Sequence, residues 1–273
     1  MDADATGALA ADDPSLPGEA VSPSVRRVLA PNPGPMTLDG TNSYVLRAPG
    51  APAAVVVDPG PLDEGHLAAL AGLGPVGLVL LTHHHADHSE SLAAFATMTG
   101  APVRAIDPDR CIGGEPLADG TRIRAGGLDL EILATPGHTA DSMCVAVVDP
   151  VDGTSAVLTG DTILGRGTTI IADPDGALGP YLASLERLRD LGGDDPVRVL
   201  PGHGPVVADL RALCVAYLAH RAERLDQVRD ALARLGADAT AEQVADLVYG
   251  DVDAAVRYAA EASVRAQLAY LRS

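Results

Sequence analysis

At 273 residues the chain is long enough for one large core or two unequal ones, and its apolar content is that of an ordinary globular enzyme. Its formal net charge is −18 and all 19 basic residues are arginine, a balance that repels polyanions at long range and weighs against tight non-specific binding of nucleic acid, double-stranded DNA included. No apolar run approaches the roughly 20 residues of a membrane span, so no membrane partner is expected.

Residues 1–24, rich in Ala, Asp, Pro and Ser without period, read as a disordered tail. Its start, Met1-Asp2-Ala3-Asp4, lacks the basic and apolar segments of a secretory signal. Cys111, Cys144 and Cys214 are scattered and odd in number, which suits reduced thiols better than a disulfide framework. A cytoplasmic location is the expectation. Strands are predicted over Val25–Leu29, Asn42–Arg47 and Ala53–Val57, the first two separated by the irregular Pro31-Asn32-Pro33-Gly34-Pro35. A helix follows over Leu62–Leu73, then the short apolar strand Gly77–Leu81. Next come a helix over Ser91–Thr99 stopped by Gly100, and strands over Pro102–Ile106, Arg122–Arg124, Leu128–Ala134, Met143–Val148 and Ala156–Leu158. A helix over Pro180–Leu191 and a strand over Val197–Leu200 complete this mixed region. Beyond it the period turns helical throughout: Leu210–Leu235, Thr240–Tyr249 and Ala254–Leu271. Domains are therefore expected at 25–209, catalytic, and 210–273, helical.

The chemistry concentrates in Thr82-His83-His84-His85-Ala86-Asp87-His88, just after an apolar strand. Imidazole nitrogen and carboxylate oxygen suit zinc, iron or manganese. A helix would rotate these side chains apart by about 100° per residue, so a loop is the expected setting. Three later strand ends repeat the design, with glycine and then one ligand type: Gly137-His138, Gly160-Asp161 and Gly202-His203. Each alone is weak. Together, four strand ends offer five histidines and two aspartates. His84, His66 and His220 stand outside the pattern, and Asp58, in an Asp-Pro-Gly turn, reads equally as a turn residue and as support for a ligand histidine.

The order HxHxDH, PGHT, GD, PGHG resembles the metallo-β-lactamase-fold hydrolase superfamily over about Val25 to Val207. The resemblance implies an α/β fold, a four-layer αβ/βα sandwich followed by a small helical domain. It implies His83, His85 and His138 on one ion, Asp87, His88 and His203 on a second, and Asp161 bridging them. Two divalent ions are implied, zinc first, manganese or iron as alternatives, with a bridging hydroxide as nucleophile. Asp87 and Asp161 are the implied catalytic carboxylates. Thr37–Tyr44, Gly160–Gly165, Thr168-Thr169 and Tyr217–Arg221 look like the lactamase-beta-2 branch, in which a winged-helix-like domain follows and some members cleave single-stranded RNA. The chain ends at Ser273, where the wing would follow. On fold analogy, Asn42, Tyr44, Arg166, Thr168, Thr169 and Arg221, joined by Arg224, are the expected substrate contacts. The expected substrate is single-stranded RNA, competing with a small carboxylic ester or thioester of glyoxalase II type. A β-lactam is less favoured, because the zinc β-lactamases lack the bridging aspartate. Iron-dependent persulfide oxidation and a non-catalytic nucleic-acid-binding role are the readings of other classes. The last is opposed by seven arginines against nine acidic residues from Tyr217 to Ser273. Those helices are instead expected to close the site's rim or to form a homodimer contact.

Overall fold

The computed structural model describes residues 15–171, 174–193, 195–250 and 257–273. In chain order the elements are β1 (Glu19–Ser22), β2 (Val25–Leu29), β3 (Asn42–Leu46), β4 (Ala54–Val57), α1 (Glu64–Gly72), β5 (Val76–Leu80), α2 (Ala86–Ser89), α3 (Leu92–Thr99) and β6 (Val103–Arg104). There follow β7 (Arg122–Ala125), β8 (Leu128–Ala134), β9 (Met143–Val148), β10 (Ser155–Gly160), α4 (Leu178–Leu191), β11 (Arg198–Pro201), α5 (Leu210–Leu235), α6 (Ala241–Val248) and α7 (Arg257–Arg272).

The strands form two sheets, β1-β2-β3-β4-β5-β6 and β11-β10-β9-β8-β7. Period-two alternation decides the layering. One face of each sheet contributes to a shared core: Leu46, Val55, Val57 and Leu80 meet Leu130, Ile132, Met143 and Leu158. The other face of the first sheet, through Val45, Val56 and Val79, packs on Leu67 and Leu70 of α1 and on Leu92 and Phe95 of α3. The other face of the second sheet, through Leu133, Cys144, Val157 and Val199, packs on α4 and α5. Four layers result, helix–sheet–sheet–helix, with the inner strands covered on both sides and the edge strands β1 and β7 partly exposed. This agrees with the expected αβ/βα sandwich.

Local chemistry sets the helix limits. Asp63 caps α1 by accepting the His66 amide at 2.7 Å, and Gly100, at φ 73°, stops α3. Asp209 caps α5, and Thr240 with Gln243 forms a capping box on α6. The last three helices enclose a core of their own, built on Val228, Val244, Val264 and Leu268. No strand follows them among the described residues, and no helix there is long and apolar enough to cross a membrane.

Two expectations need correction. Residues 19–22, assigned to the tail, form an edge strand held by polar bonds: Arg26 donates to Gly18 O at 3.0 Å, and Ser22 and Ser24 donate to Asp149. Polar bonding leaves no apolar pattern to read. Residues 1–14 lie outside the described residues, as do 254–256 of the last expected helix. The histidine segment is also not loop throughout, since Asp87 and His88 lie on the single turn α2.

Candidate metal centre

Four strand ends deliver seven side chains to one edge of the sandwich. β5 leads into His83 and His85, and α2 carries Asp87 and His88. β8 leads into His138, β10 into Asp161 and β11 into His203. Backbone bonds tie these ends together: Met143 N–H to Thr82 O at 2.9 Å, Gly202 N–H to Gly160 O at 2.8 Å and Asn42 N–H to Gly202 O at 2.7 Å.

Two groups of ligand atoms converge. His83 Nε2 and His138 Nε2 lie 3.1 and 3.0 Å from His85 Nδ1, with Asp161 beside them. His203 Nε2 lies 3.1 Å from Asp87 Oδ2 and 3.3 Å from His88 Nε2. Asp161 stands between the groups, Oδ2 3.7 Å from His138 and 3.4 Å from His203, Oδ1 3.4 Å from His88.

Outer partners set the tautomers. Thr82 gives its hydroxyl proton to Asp58 Oδ2 at 2.7 Å, so its oxygen accepts His83 Nδ1–H at 3.0 Å. His88 Nδ1–H goes to Asp58 Oδ2 at 2.9 Å, His138 Nδ1–H to Ile170 O at 2.6 Å and His203 Nδ1–H to Gly40 O at 3.1 Å. All four rings therefore turn Nε2 inward, free on His83 and His138, and on His88 and His203 held beside carboxylates that favour a cation there, a proton or a metal ion. Lone pairs facing one another at about 3 Å repel unless a cation lies among them. Asp161 Oδ1, buried without a hydrogen-bond partner, points the same way. The donor set fits divalent metal.

Burial pushes His83 well below the ordinary imidazole range and His85 to about 4, with the neighbouring histidines adding to both shifts. Burial alone would lower His203, but the Asp161 and Asp87 carboxylates overcome it and lift the ring to about 9. Burial alone would raise Asp161, but His203 and His88 hold it well below the usual carboxylate range. The centre keeps its carboxylates ionised and His83, His85 and His138 neutral, the states in which each binds metal, while the carboxylates beside His88 and His203 raise both rings and favour positive charge at their inner nitrogens.

The model of the metallo-beta-lactamase superfamily matches residues 36–203, more than half of the chain and a span that includes all seven side chains. The chain belongs to the metallo-β-lactamase superfamily. The lactamase-like protein vrtG of Penicillium aethiopicum is 35% identical over 256 residues, covering 88% of this chain and 78% of that one. The atrochrysone carboxyl ACP thioesterase of Aspergillus chevalieri is 33% identical over 229 residues, covering 80% and 69%. A crystal structure of a metallo-beta-lactamase family protein of Thermus thermophilus superposes at a TM-score of 0.74 with 26% identity, covering 93% and 94%. The protein is a metal-dependent hydrolase of this superfamily.

The expected substrate contacts of this superfamily member fare differently. Asn42 is buried, its amide donating to Pro201 O and Gly204 O, and Tyr44 is buried with its hydroxyl on Pro201 O. Both brace the His203 loop from within the core. Arg221, 5% exposed, lies behind the cleft with Nη2 on Thr169 O. Thr169 is buried, and its hydroxyl donates to Asp161 O. Thr168 is half-buried. Arg166 is exposed but forms a bidentate pair with Asp39 at 2.9 and 3.0 Å. Arg224 lies over the Tyr249 ring and donates to Gln227. His84 joins none of the seven and bonds Asp141 at 2.9 Å.

Asp58, only half expected, accepts from His88, from Thr82 N–H and from Thr82 O–H, and holds φ 52° to do so. Sequence reasoning passed over His66, whose Nε2 donates to Ser43 Oγ at 2.8 Å while Ser43 donates to Asp58 O. A separation of 23 residues leaves no local signal for that pair.

Proposed function

We propose that the protein hydrolyses small acyl esters or thioesters at a centre of two zinc ions, held by His83, His85 and His138 on one side and Asp87, His88 and His203 on the other, with Asp161 between. When bound, such ions would supply Lewis acidity, which makes a water acidic and polarises a carbonyl oxygen. The chain's own groups supply position. Asp58, Thr82, Gly40 O and Ile170 O each hold an imidazole in the tautomer that leaves its inner nitrogen free. Asp87 has the more solvent-accessible of the two central carboxylates, and His203 and His88 keep it ionised against burial. A carboxylate so acidic is a weak base, so its role is to orient the attacking water by accepting a hydrogen bond. In a thioester the carbon–sulfur bond breaks as the carbon–oxygen bond forms, and the thiolate leaves to be protonated by solvent.

The observation that carries the acyl reading over RNA is the state of the arginines. Arg221 is buried, Arg166 is neutralised by Asp39, and Arg224 is stacked and hydrogen-bonded. A phosphodiester backbone needs free cations at the mouth, and the net charge of −18 makes that need greater. Apolar side chains stand exposed instead: Met36 on the loop whose Gly40 carbonyl holds His203, and Leu62 beside the Gly60 amide that bonds His88 O. The related thioesterase supports the same chemistry.

The test is a side-by-side assay of zinc-loaded protein on acyl-N-acetylcysteamine thioesters, read by thiol release, and on a fluorescent single-stranded RNA. Asp161→Ala is the control. Thiol release well above that control is expected. RNA cleavage above control without thioesterase activity would replace the acyl reading with the ribonuclease one.

A further inference from the structure

The segment after Asp161 is held from behind by three side chains of the outer helices. Tyr181 of α4 donates to Thr162 O at 2.8 Å. Tyr217 of α5 accepts from Leu164 N–H at 3.0 Å and donates to Leu164 O at 3.3 Å. Arg221, one helical turn further along α5, donates to Thr169 O and lays its guanidinium 5.1 Å from the centre of the Tyr181 ring.

Of the three, Arg221 is the most costly to keep. It is 5% exposed, and its Nε–H is buried without an acceptor. Burying a guanidinium costs several times what burying an alkyl side chain gains, unless strong partners compensate. Leucine or methionine would cover Tyr181 at no such cost. What arginine adds is a charged donor for the Thr169 carbonyl. That carbonyl adjoins the two groups on which the centre depends: Ile170 O, which accepts His138 Nδ1–H at 2.6 Å, and Thr169 Oγ1, which donates to Asp161 O at 2.8 Å. Two successive carbonyls thus take partners from opposite sides, the helix from outside and the histidine from inside. With the first peptide plane fixed, only the φ and ψ of Ile170 remain to set the second, and the His138 bond is made there.

We propose that Arg221 is a positioning residue of the metal centre, acting from the C-terminal helices through Thr169 to hold His138 and Asp161 in place. The proposal rests on the ligand reading given above. It makes α5 a working part of the hydrolase. Loss of a group that orients a metal ligand typically weakens metal binding by about 10–100-fold.

The experiment uses the full chain and zinc alone, titrated in competition with a chromophoric chelator, beside the melting temperature of the metal-free protein. The variants are Arg221→Met, Arg221→Lys and, from the same buried face of α5, Leu225→Ala. Wild type should take up two equivalents. Arg221→Met should weaken at least one equivalent about tenfold or more, and Arg221→Lys should recover part of the loss. Leu225→Ala should lower the melting temperature but keep both affinities within about twofold, because it removes packing without touching Thr169. Two outcomes overturn the proposal: Arg221→Met binding zinc as tightly as wild type, or Leu225→Ala weakening zinc as much as Arg221→Met at equal loss of melting temperature. If Arg221→Met does not fold, Arg221→Gln, which keeps a donor and drops the charge, is read by the same criteria. A wild type that takes up no zinc defeats the ligand reading itself, a result distinct from the other two.

Discussion

Asp161 has one oxygen 3.4 Å from His88 Nε2 and the other 3.4 Å from His203 Nε2 and 3.7 Å from His138 Nε2. No other described carboxylate reaches both imidazole groups. Asp161→Ala should therefore lose most bound metal and nearly all activity while the circular dichroism spectrum stays native. His84→Ala, which removes the part-buried Asp141 contact and the longer one to Asp175, should keep metal content and activity within about twofold, since His84 gives no ligand atom to either group around Asp161. Equal damage from both would mean that the ligand set is wrongly drawn. Further out, His66 makes the Asp58 support sensitive to pH. Burial holds its ring at about 4, against an ordinary 6.5. Above pH 6.5 the ring is neutral in both folded and unfolded chains, and its contribution is at full strength. As pH falls from 6.5 toward 4, the unfolded chain takes up a proton that the folded ring refuses. Stability is then lost at up to about 1.4 kcal/mol per pH unit. His66→Gln cannot titrate. Its stability deficit against wild type, measured by urea unfolding, should be largest at pH 7 and shrink by pH 5. A deficit that is constant with pH would show that His66 does not titrate as its burial requires.

The strand-end turns are where close packing and chemistry meet, and two glycines separate them. Gly137 has φ 145°, and a Cβ there would stand 2.3 Å from the Tyr181 Cα, a backbone atom of α4. Gly137→Ala should therefore push helix from sheet and cost about 3 kcal/mol, seen as a lower melting temperature in metal-free protein. A Cβ on Gly202 would instead stand 2.5 Å from Asp161 Oδ1 and 2.7 Å from His88 Cε1. Gly202→Ala should keep most of the metal-free melting temperature and lose zinc. Matching losses of stability and of zinc in both variants would contradict this division. The same turns explain what could be read from the sequence. The long helix α5 was legible to the residue, because Asp209 and Gly236 bracket a sustained period. The seven side chains that the structure brings together were legible because HxHxDH follows one strand end and glycine precedes an imidazole or carboxylate at three more. The turn α2 was not, since four residues show no period and its N-cap makes no side-chain bond. Nor were the substrate contacts. Whether Arg166 is free or tied to Asp39, 127 residues away, is decided by tertiary pairing that no local pattern records.

Taken whole, the molecule carries its packing across the expected boundary at residue 209. Leu210, Cys214, Tyr217 and Leu225 of α5 share a core with β9, β10 and α4, and only from Val228 onward does the helix turn to the core it builds with α6 and α7. A chain ended at Asp209 would expose Leu178, Leu185 and Leu188 and should be insoluble, whereas an independent domain would stay folded by circular dichroism. The acidity of the whole molecule bears on substrate in a way that can be measured apart from turnover. A polyanion approaching a surface of charge −18 is repelled over about 10 Å at 0.1 M salt, and it binds only where local cations replace its counterions. Such binding weakens steeply as salt rises, with one counterion released per phosphate contact. A small acyl thioester has no condensed counterions, and its apolar part gains slightly from salt. KM for the thioester should therefore stay within about twofold between 50 and 300 mM sodium chloride. Arg166→Ala should leave that KM nearly unchanged, because the side chain is already held by Asp39. If KM instead rises tenfold or more across that range, and rises again in Arg166→Ala, the Arg166–Asp39 pair opens to receive an anionic group of the substrate, and the arginines are not tied as the acyl reading requires.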